Sequence, residues 1–235
     1  MLLLGHRGAR VHSVPENSLA AFQLALNAGC DGFEFDLRRT KDGEAVVCHD
    51  SRLHGLTVSR RSYEALVKAR LRKLSSGKPA SVALTLAQQA VLLARLQDVL
   101  AHYADRAFLN LELKVPDLEK NVIALLQAHP PHRGYVVSSF HPQIVKALHR
   151  RATDVPLGLI CDSKRQLAHW AELPVQFVIP HHKLLTQKLI QELHAAGKQV
   201  FTWTVNSERV MHRAAELGVD GVISDDPILL ARTLG

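Results

Sequence analysis

The chain has 235 residues, which is enough for one domain with a sizeable buried core. Lys and Arg outnumber Asp and Glu by 29 to 22, and the resulting net charge of +7 suits an anionic ligand such as a phosphate ester. The basic residues are scattered and lack the interleaved aromatic residues of single-stranded nucleic-acid binders, so nucleic acid is not expected as a partner.

The sequence also argues against membrane insertion and against a cysteine framework. The run from Met1 to Leu4 is too short for the apolar core of a signal peptide, and no run approaches the about 20 apolar residues of a membrane span. Cys30, Cys48 and Cys161 lack CxxC spacing and cannot all pair, so neither a zinc knuckle nor a disulfide framework is expected. We therefore expect a cytoplasmic protein, either a monomer or a homodimer, without stable membrane insertion.

Apolar runs of strand length alternate with helical patterns along the chain. This alternation is typical of βα units and predicts a parallel sheet. We place the eight strands at 2–5, 32–38, 107–113, 135–138, 156–160, 177–179, 199–204 and 221–223, with an extra short strand at 46–48. Eight βα repeats predict a closed (β/α)8 TIM barrel, an α/β fold, formed by a single domain of residues 1–235.

Helices are predicted between the strands, at 18–28, 84–103, 118–128, 142–151, 164–171, 186–196, 208–217 and 228–233. Asn17 or Ser18 can cap the first helix, and Gly29 can end it in a left-handed conformation. Residues 51–83 interrupt the pattern, since they are basic and show only a short helical pattern at 62–71. We interpret 51–83 as an inserted, partly ordered flap.

Short polar motifs recur at the ends of the apolar runs. In chain order they are His6-Arg7-Gly8, Pro15-Glu16-Asn17-Ser18, Glu34-Phe35-Asp36, His49-Asp50, Asn110 to Lys114, and Trp203 to Asn206. This order resembles the glycerophosphodiester phosphodiesterase family over nearly the whole chain. The segment Leu53 to Val58 departs from the usual family text after the HD motif, so the resemblance does not give the head-group preference.

Three carboxylates are expected to converge at the mouth of the barrel. Side chains at the carboxyl ends of barrel strands share one face, and Glu34, Asp36 and Glu112 fall at such ends. Carboxylates gathered together raise one another's pKa unless a cation lies among them. Because they offer only oxygen ligands, we predict a site for Mg²⁺ or Ca²⁺, and the resemblance implies the same three positions. The alternative is that one of these acids only pairs with Lys114 or Arg7.

Phosphodiester cleavage requires a base, an acid and charge stabilisation on the phosphoryl oxygens. His6 and His49 are the candidates for proton transfer, and the resemblance implies this histidine pair. We assign His6 as the base and His49 as the acid, although the sequence does not fix the direction. Arg7 and Lys114 are the candidate cationic donors to the phosphoryl group.

Trp203 has two interpretations. Large aromatic side chains at strand ends often plug a barrel, whereas the resemblance implies that this residue lies at the mouth and contacts substrate. His181 resembles a less constant family segment, and Phe140 is expected to pack.

The leading functional hypothesis is metal-dependent hydrolysis of glycerophosphodiesters to sn-glycerol 3-phosphate and an alcohol. The glycerol substrate is implied by the resemblance, as is a route in which the glycerol 2-hydroxyl attacks to give a cyclic phosphate that water then opens. The alternatives are a lysophospholipase-D-type activity on lysolipids and a catalytically silent barrel that binds phosphate esters.

Overall fold

The structure is a computed structural model that describes residues 1–11, 14–74 and 93–235. Its strands, in chain order β1 to β11, are Leu2–His6, Gly32–Arg39, Ala45–Val47, Arg52–Leu53, Leu56–Thr57, Phe108–Leu113, Tyr135–Ser139, Leu157–Cys161, Phe177–Pro180, Gln199–Thr202 and Gly221–Ser224. Each of the eight predicted βα strands is present to within two residues at either end. The extra strand predicted at 46–48 is β3.

Eight of these strands form a closed parallel barrel, which confirms the predicted (β/α)8 TIM barrel. The order is β1, β2, β6, β7, β8, β9, β10 and β11, and β1 pairs with both β2 and β11, so the sheet closes on itself. In register, His6 lies beside Glu34, Glu34 beside Asn110, and Asp36 beside Glu112. These polar residues therefore gather at one end of the barrel.

The described α-helices surround the strands. In chain order α1 to α9, they are Leu19–Asn27, Tyr63–Leu74, Leu96–Tyr103, Glu119–Ala128, Pro142–Arg151, Lys164–Leu167, Gln187–Ala195, Glu208–Leu217 and Pro227–Leu234. Ser18 caps α1, since its hydroxyl accepts from the Ala21 amide, and Gly29 follows α1 with a left-handed φ of 100°. In the part of the chain that is described, no helix is long and apolar enough to cross a bilayer.

The helix predicted at 84–103 is wrong for residues 93–95. This segment is extended, and it pairs with β3 through a bridge between Arg95 and Val46 and a hydrogen bond from the Val47 amide to the Ala94 carbonyl. Asp98 accepts from the Arg95 amide and so marks the start of α3. A short apolar run fits a strand as well as a helix, and the sequence pattern therefore extended the predicted helix too far toward the amino end. The predicted residues 84–92 lie outside the described part.

The barrel interior is filled below its mouth. Phe177 and Phe201 pack edge to face with ring centroids 5.1 Å apart, and Phe108 packs on Phe201 at 5.7 Å. Leu4, Val136, Ile160, Ile179 and Ile223 complete this interior cluster. The barrel is thus a packed core with a layer of polar side chains toward the carboxyl ends of the strands.

Residues 51–74 form a small structured insertion at the mouth of the barrel, after β3. A two-stranded hairpin of β4 and β5 leads through a 3-10 turn at Val58–Arg60 into α2. Val58 and Leu66 are buried against Val46 and Cys48, so this segment is anchored beside β3. The rest of the predicted flap, residues 75–83, lies outside the described residues, and a flap spanning 51–83 stays a prediction.

Candidate active site

The first strand ends in a tight turn that aims Arg7 into the barrel mouth. Arg7 has a left-handed φ of 54° and Gly8 follows with a φ of 84°. A side chain on Gly8 would meet the Ala21 carbonyl carbon at 2.5 Å, so glycine is required there. In this conformation the Arg7 amide donates to Glu34 Oε2 at 3.1 Å. Backbone strain of this kind is typical of functional turns.

Glu34, Asp36 and Glu112 form one buried group of carboxylates. Ligand-type oxygens of all three lie within 4.8 Å of one another, and the residues are 4%, 1% and 7% exposed. Glu34 Oε1 is buried and has no hydrogen-bond partner among the described residues. Three converging acids with an unsatisfied buried oxygen are a donor set suited to a hard cation.

The pKa values of these three acids shift in different directions: those of Glu34 and Glu112 are raised, and that of Asp36 is lowered. Burial, together with the charges of Asp36 and Glu112, raises the pKa of Glu34 well above its ordinary value. Burial and Asp36 likewise raise the pKa of Glu112. Burial also pushes the pKa of Asp36 upward, but Lys114, Arg7 and Asn17 outweigh it, and the pKa ends below its ordinary value.

Two cations flank the carboxylates. Lys114 Nζ lies 2.7 Å from Glu112 Oε1 and 3.3 Å from Asp36 Oδ1. Arg7 Nη1 donates to Glu16 Oε1 at 2.6 Å, while its Nε lies 3.2 Å from Asp36 Oδ2 without forming a hydrogen bond. Both side chains line the cavity, so they can turn donors toward an anion above the carboxylates.

Asn17 holds Asp36 through two hydrogen bonds. Its Nδ2 donates to Asp36 Oδ2 at 2.8 Å, and its Oδ1 accepts from the Asp36 amide at 3.3 Å. Asn17 has a left-handed φ of 55°, a conformation that asparagine tolerates better than most residues. The sequence suggested Asn17 only as a helix cap, a role that Ser18 performs.

His6 is fixed by a carboxylate at the end of the last strand. Its Nδ1 lies 2.6 Å from Asp225 Oδ1, and its Nε2 lies 3.7 Å from Glu34 Oε2. Asn206 Nδ2 donates to the other Asp225 oxygen at 2.7 Å. Although burial opposes it, the hydrogen bond and charge of His6 hold the pKa of Asp225 below its ordinary value. Nε2 is thus the nitrogen that His6 turns to the cavity.

His49 approaches from the segment after β3. The Cys48 amide donates to the Asp36 carbonyl at 2.9 Å, and Arg38 Nε donates to the His49 carbonyl at 2.7 Å, so the backbone on both sides is fixed. The His49 Nδ1 lies 2.8 Å from Asp50 Oδ1. The side chain is 37% exposed and lines the same cavity as His6.

Trp203 lies just beyond the end of β10 and lines the cavity while packing on the interior core. Its Nε1 donates to the Ile179 carbonyl at 3.0 Å, and its ring meets the rings of Phe140 and His181 edge to face, with centroids 5.3 Å from each. Trp203 therefore packs on the core and also lies at the mouth, and its contact with substrate stays a prediction. Phe140 packs against Trp203 and also lines the cavity.

The structure brings the predicted residues together. His6, Arg7, Glu34, His49, Glu112, Lys114 and Trp203 all line one cavity, and Asp36 lies buried beside it. Sequence reasoning missed Asn110 in the cavity wall and Asp225 behind His6. The rule that strand ends face the mouth would have identified Asp225, which directly follows β11.

A family model and relatives of known name both match this chain over almost its whole length. A family model described as the glycerophosphoryl diester phosphodiesterase family matches residues 6–229. A glycerophosphodiester phosphodiesterase of Bacillus altitudinis is 30% identical over 236 positions, covering 96% of this chain and 94% of the relative. A lysophospholipase D of Mus musculus is 28% identical over 268 positions, covering 97% and 84%.

Solved structures are similar over the whole chain. A putative glycerophosphoryl diester phosphodiesterase from Silicibacter pomeroyi has a TM-score of 0.81 and 26% identity, and the alignment covers 100% of this chain and 93% of that one. An Oleispira antarctica phosphodiesterase in complex with the product sn-glycerol-3-phosphate has a TM-score of 0.79 and 23% identity, with coverage of 100% and 96%. At this identity, the similarity to the Oleispira antarctica structure shows a shared fold and no more.

Proposed function

This chain belongs to the glycerophosphoryl diester phosphodiesterase family, and on that premise we propose that it hydrolyses glycerophosphodiesters to sn-glycerol 3-phosphate and an alcohol. Membership also confirms the family resemblance of its motifs. One observation carries the proposal: three buried carboxylates, two cations and two histidines line or adjoin a single cavity. Each part of phosphodiester chemistry therefore has a candidate group within that cavity.

A divalent cation, Mg²⁺ or Ca²⁺, fits the carboxylate group. Glu34, Asp36 and Glu112 would hold it, and the unpartnered Glu34 Oε1 supports this fit because a buried carboxylate oxygen without a donor is costly. A bound cation supplies Lewis-acid stabilisation of phosphoryl charge. It also relieves the repulsion that raises the pKa values of Glu34 and Glu112.

Arg7 and Lys114 are proposed to bind the phosphoryl oxygens. Both are held in place by carboxylates, and each retains further N–H donors for an anion in the cavity. Arg7 can bind two phosphoryl oxygens through its fork, whereas Lys114 acts as a point charge. Trp203 and Phe140 would form the apolar wall against the carbon atoms of the substrate.

The histidines are proposed to divide proton transfer between them. His6 accepts the proton of the attacking oxygen at Nε2, because Asp225 occupies Nδ1 and stabilises the imidazolium that forms. His49, oriented by Asp50, protonates the leaving alkoxide. Attack by the glycerol 2-hydroxyl, followed by water opening a cyclic phosphate, is the route that profits most from proximity.

A second candidate is lysophospholipase-D-type activity on lysolipids. A groove that begins at Asp225 and Asn206 runs away from the cavity between α1 and α9. It contains the exposed apolar side chains of Val11, Leu24 and Ile228, which are 37%, 36% and 65% exposed. An acyl chain could lie along this surface. The mouse relative carries the name of this activity.

A substrate panel tests the proposal and separates the candidates. Purified protein with Mg²⁺ or Ca²⁺ is given glycerophosphocholine, glycerophosphoethanolamine, glycerophosphoglycerol and lysophosphatidylcholine, and each product is measured. Release of sn-glycerol 3-phosphate from the soluble diesters is expected. Turnover of lysophosphatidylcholine alone would favour the second candidate, and binding of sn-glycerol 3-phosphate without any turnover would indicate a silent barrel. Cytoplasmic location, the absence of a nucleic-acid partner and the choice between monomer and homodimer stay predictions.

A further inference from the structure

Asn110 lines the cavity and carries a buried, unpaired amide nitrogen. The residue is 0% exposed, and its Nδ2 has no hydrogen-bond partner among the described residues, although Asn110 lines the cavity. A buried amide N–H₂ without an acceptor costs about 1 to 3 kcal/mol, so such a group calls for a partner that the unliganded protein does not supply.

A hydrogen bond to a neighbouring strand holds this amide. Ser138 Oγ donates to Asn110 Oδ1 at 2.7 Å, so in the structure the oxygen lies on the serine side and the N–H₂ group on the other. Ser138 is itself completely buried on the neighbouring strand β7. This bond holds the side chain of Asn110 against β7 and leaves its N–H₂ group as the part without a partner.

The neighbourhood of Asn110 indicates the chemistry of the missing partner. In register, Asn110 lies directly beside Glu34 on β2, and Glu34 Oε1 is the other unpartnered atom of the same cavity. Asn110 is two residues nearer the amino end of β6 than Glu112, about 6 to 7 Å back along the strand and thus deeper in the barrel. Arg7 and Lys114 are the proposed donors to the anionic group, which leaves the Asn110 amide for another oxygen of the substrate.

We infer that Asn110 Nδ2 donates a hydrogen bond to a hydroxyl group on the glycerol end of the substrate. This inference rests on the proposed function, since it assigns the deep end of the cavity to glycerol and the open end to the variable alcohol. Glycerol is compact and carries hydroxyl acceptors, whereas head groups differ in size and charge. Recognition of the constant part at the floor leaves the head group near the mouth.

Two variants test the assignment. Asn110→Leu is nearly isosteric but lacks the donor, and Asn110→Ala introduces no bulk. Affinity is measured calorimetrically for sn-glycerol 3-phosphate and for methyl phosphate, which has the phosphoryl group but no hydroxyl. We expect both variants to bind sn-glycerol 3-phosphate about tenfold more weakly and to bind methyl phosphate as the parent does. The value of kcat/KM should fall by a similar factor for every head group.

Stability and affinity together separate this role from a structural one. The unpaired donor adds nothing to the unliganded fold, but Asn110→Leu also removes the acceptor of the buried Ser138 hydroxyl, so the variant should fold with a Tm lowered by the loss of that one hydrogen bond. Asn121 provides the matched control, because its Nδ2 donates to the Gly43 carbonyl at 2.9 Å on the outside of the barrel. Asn121→Leu should lower Tm and leave both affinities unchanged.

Three results would overturn the inference. Unchanged affinity for sn-glycerol 3-phosphate would show that the amide has no role in binding, for instance because it only holds a water. Equal losses for the two ligands would place the contact on the phosphoryl group. Loss of folding in both Asn110 variants would show a structural role. A parent protein that turns over no diester would instead contradict the proposed function, so the two failures are distinguishable.

Discussion

Asp225, in the loop after the last barrel strand, pairs with His6 at the end of the first, with 2.6 Å between Oδ1 and Nδ1. The two residues are 219 positions apart in sequence and meet only because β1 and β11 are neighbours when the barrel closes. The contact fixes one ring nitrogen and leaves the other for chemistry. It makes Asp225 a positioning residue for the proposed base.

Asp225→Asn should lower kcat about a hundredfold or more and leave KM nearly unchanged. The amide keeps the shape but no longer stabilises the imidazolium, and it favours the wrong tautomer of His6. Steady-state kinetics on glycerophosphocholine measure the effect.

The control for this change is a second histidine–carboxylate pair at the opposite end of the barrel. His194 Nε2 lies 2.9 Å from Asp220 Oδ2, just before β11 begins. Asp220→Asn should lower Tm slightly without a change in kcat. A similar loss of kcat in both variants would contradict the positioning role of Asp225.

Glu34→Gln should stabilise the metal-free protein as the pH rises. The folded-state pKa of Glu34 is raised above its ordinary 4.5, so its penalty is absent below about pH 4.5 and grows as the pH climbs toward the folded pKa. The Tm difference between variant and parent in EDTA should therefore be near zero at low pH and positive at pH 8.

The same variant separates metal binding from folding. Adding Mg²⁺ or Ca²⁺ should raise the Tm of the parent and have a smaller effect on Glu34→Gln, because the amide lacks the negative charge with which a carboxylate attracts either ion. Thermal melts across pH, with and without EDTA, measure both effects. A variant that melts below the parent at pH 8 in EDTA would contradict the claim that the ionised Glu34 carboxylate destabilises the metal-free protein.

Asn17→Gly and Asn17→Ala should both lower kcat/KM, since each removes the two hydrogen bonds that hold Asp36. They should differ in stability. Glycine accepts the φ of 55° without strain, whereas alanine pays about 1 kcal/mol there, so the alanine variant should have the lower Tm. Kinetics and melts on both variants measure these effects, and full activity in the glycine variant would show that the strained backbone, not the amide, is what the site needs.

His49→Ala should harm turnover most when the leaving alcohol is a weak acid. Without a proton donor, release of choline should slow about 10² to 10⁴-fold, whereas release of p-nitrophenolate from a glycerol diester should change far less. His132→Ala serves as the control, because that side chain is 69% exposed and precedes β7 at the other end of the barrel. Equal losses for both leaving groups would contradict the role of His49 as the acid.

Much of the fold could be predicted from sequence because each strand carries its own local signal. The apolar runs of β1, β2 and β6 are bounded by turn residues, and the number of repeats determines the barrel. The start of α3 could not be predicted, since the extended pairing of Ala94 and Arg95 depends on contact with β3, a tertiary interaction.

The site was predictable to the extent that its residues stand in short motifs. Glu34, Asp36 and Glu112 follow the period of two along their strands, which places them on one face. The roles of Asn17 and Asn110 depend on which atoms lie across a strand or beneath a turn. The spacing of residues in the sequence cannot show that the Asn17 amide nitrogen donates to Asp36 while the Asn110 amide nitrogen has no partner among the described residues.

The central claim is that Glu34, Asp36 and Glu112 hold a divalent cation on which glycerophosphodiester hydrolysis depends. The most direct measurement is release of sn-glycerol 3-phosphate from glycerophosphocholine by EDTA-treated parent and Glu112→Gln, before and after addition of Mg²⁺ or Ca²⁺. We predict no release in EDTA, recovery of the parent with at least one of the two ions, and no recovery of the variant. Undiminished release in EDTA, or a variant that recovers like the parent, would contradict the claim.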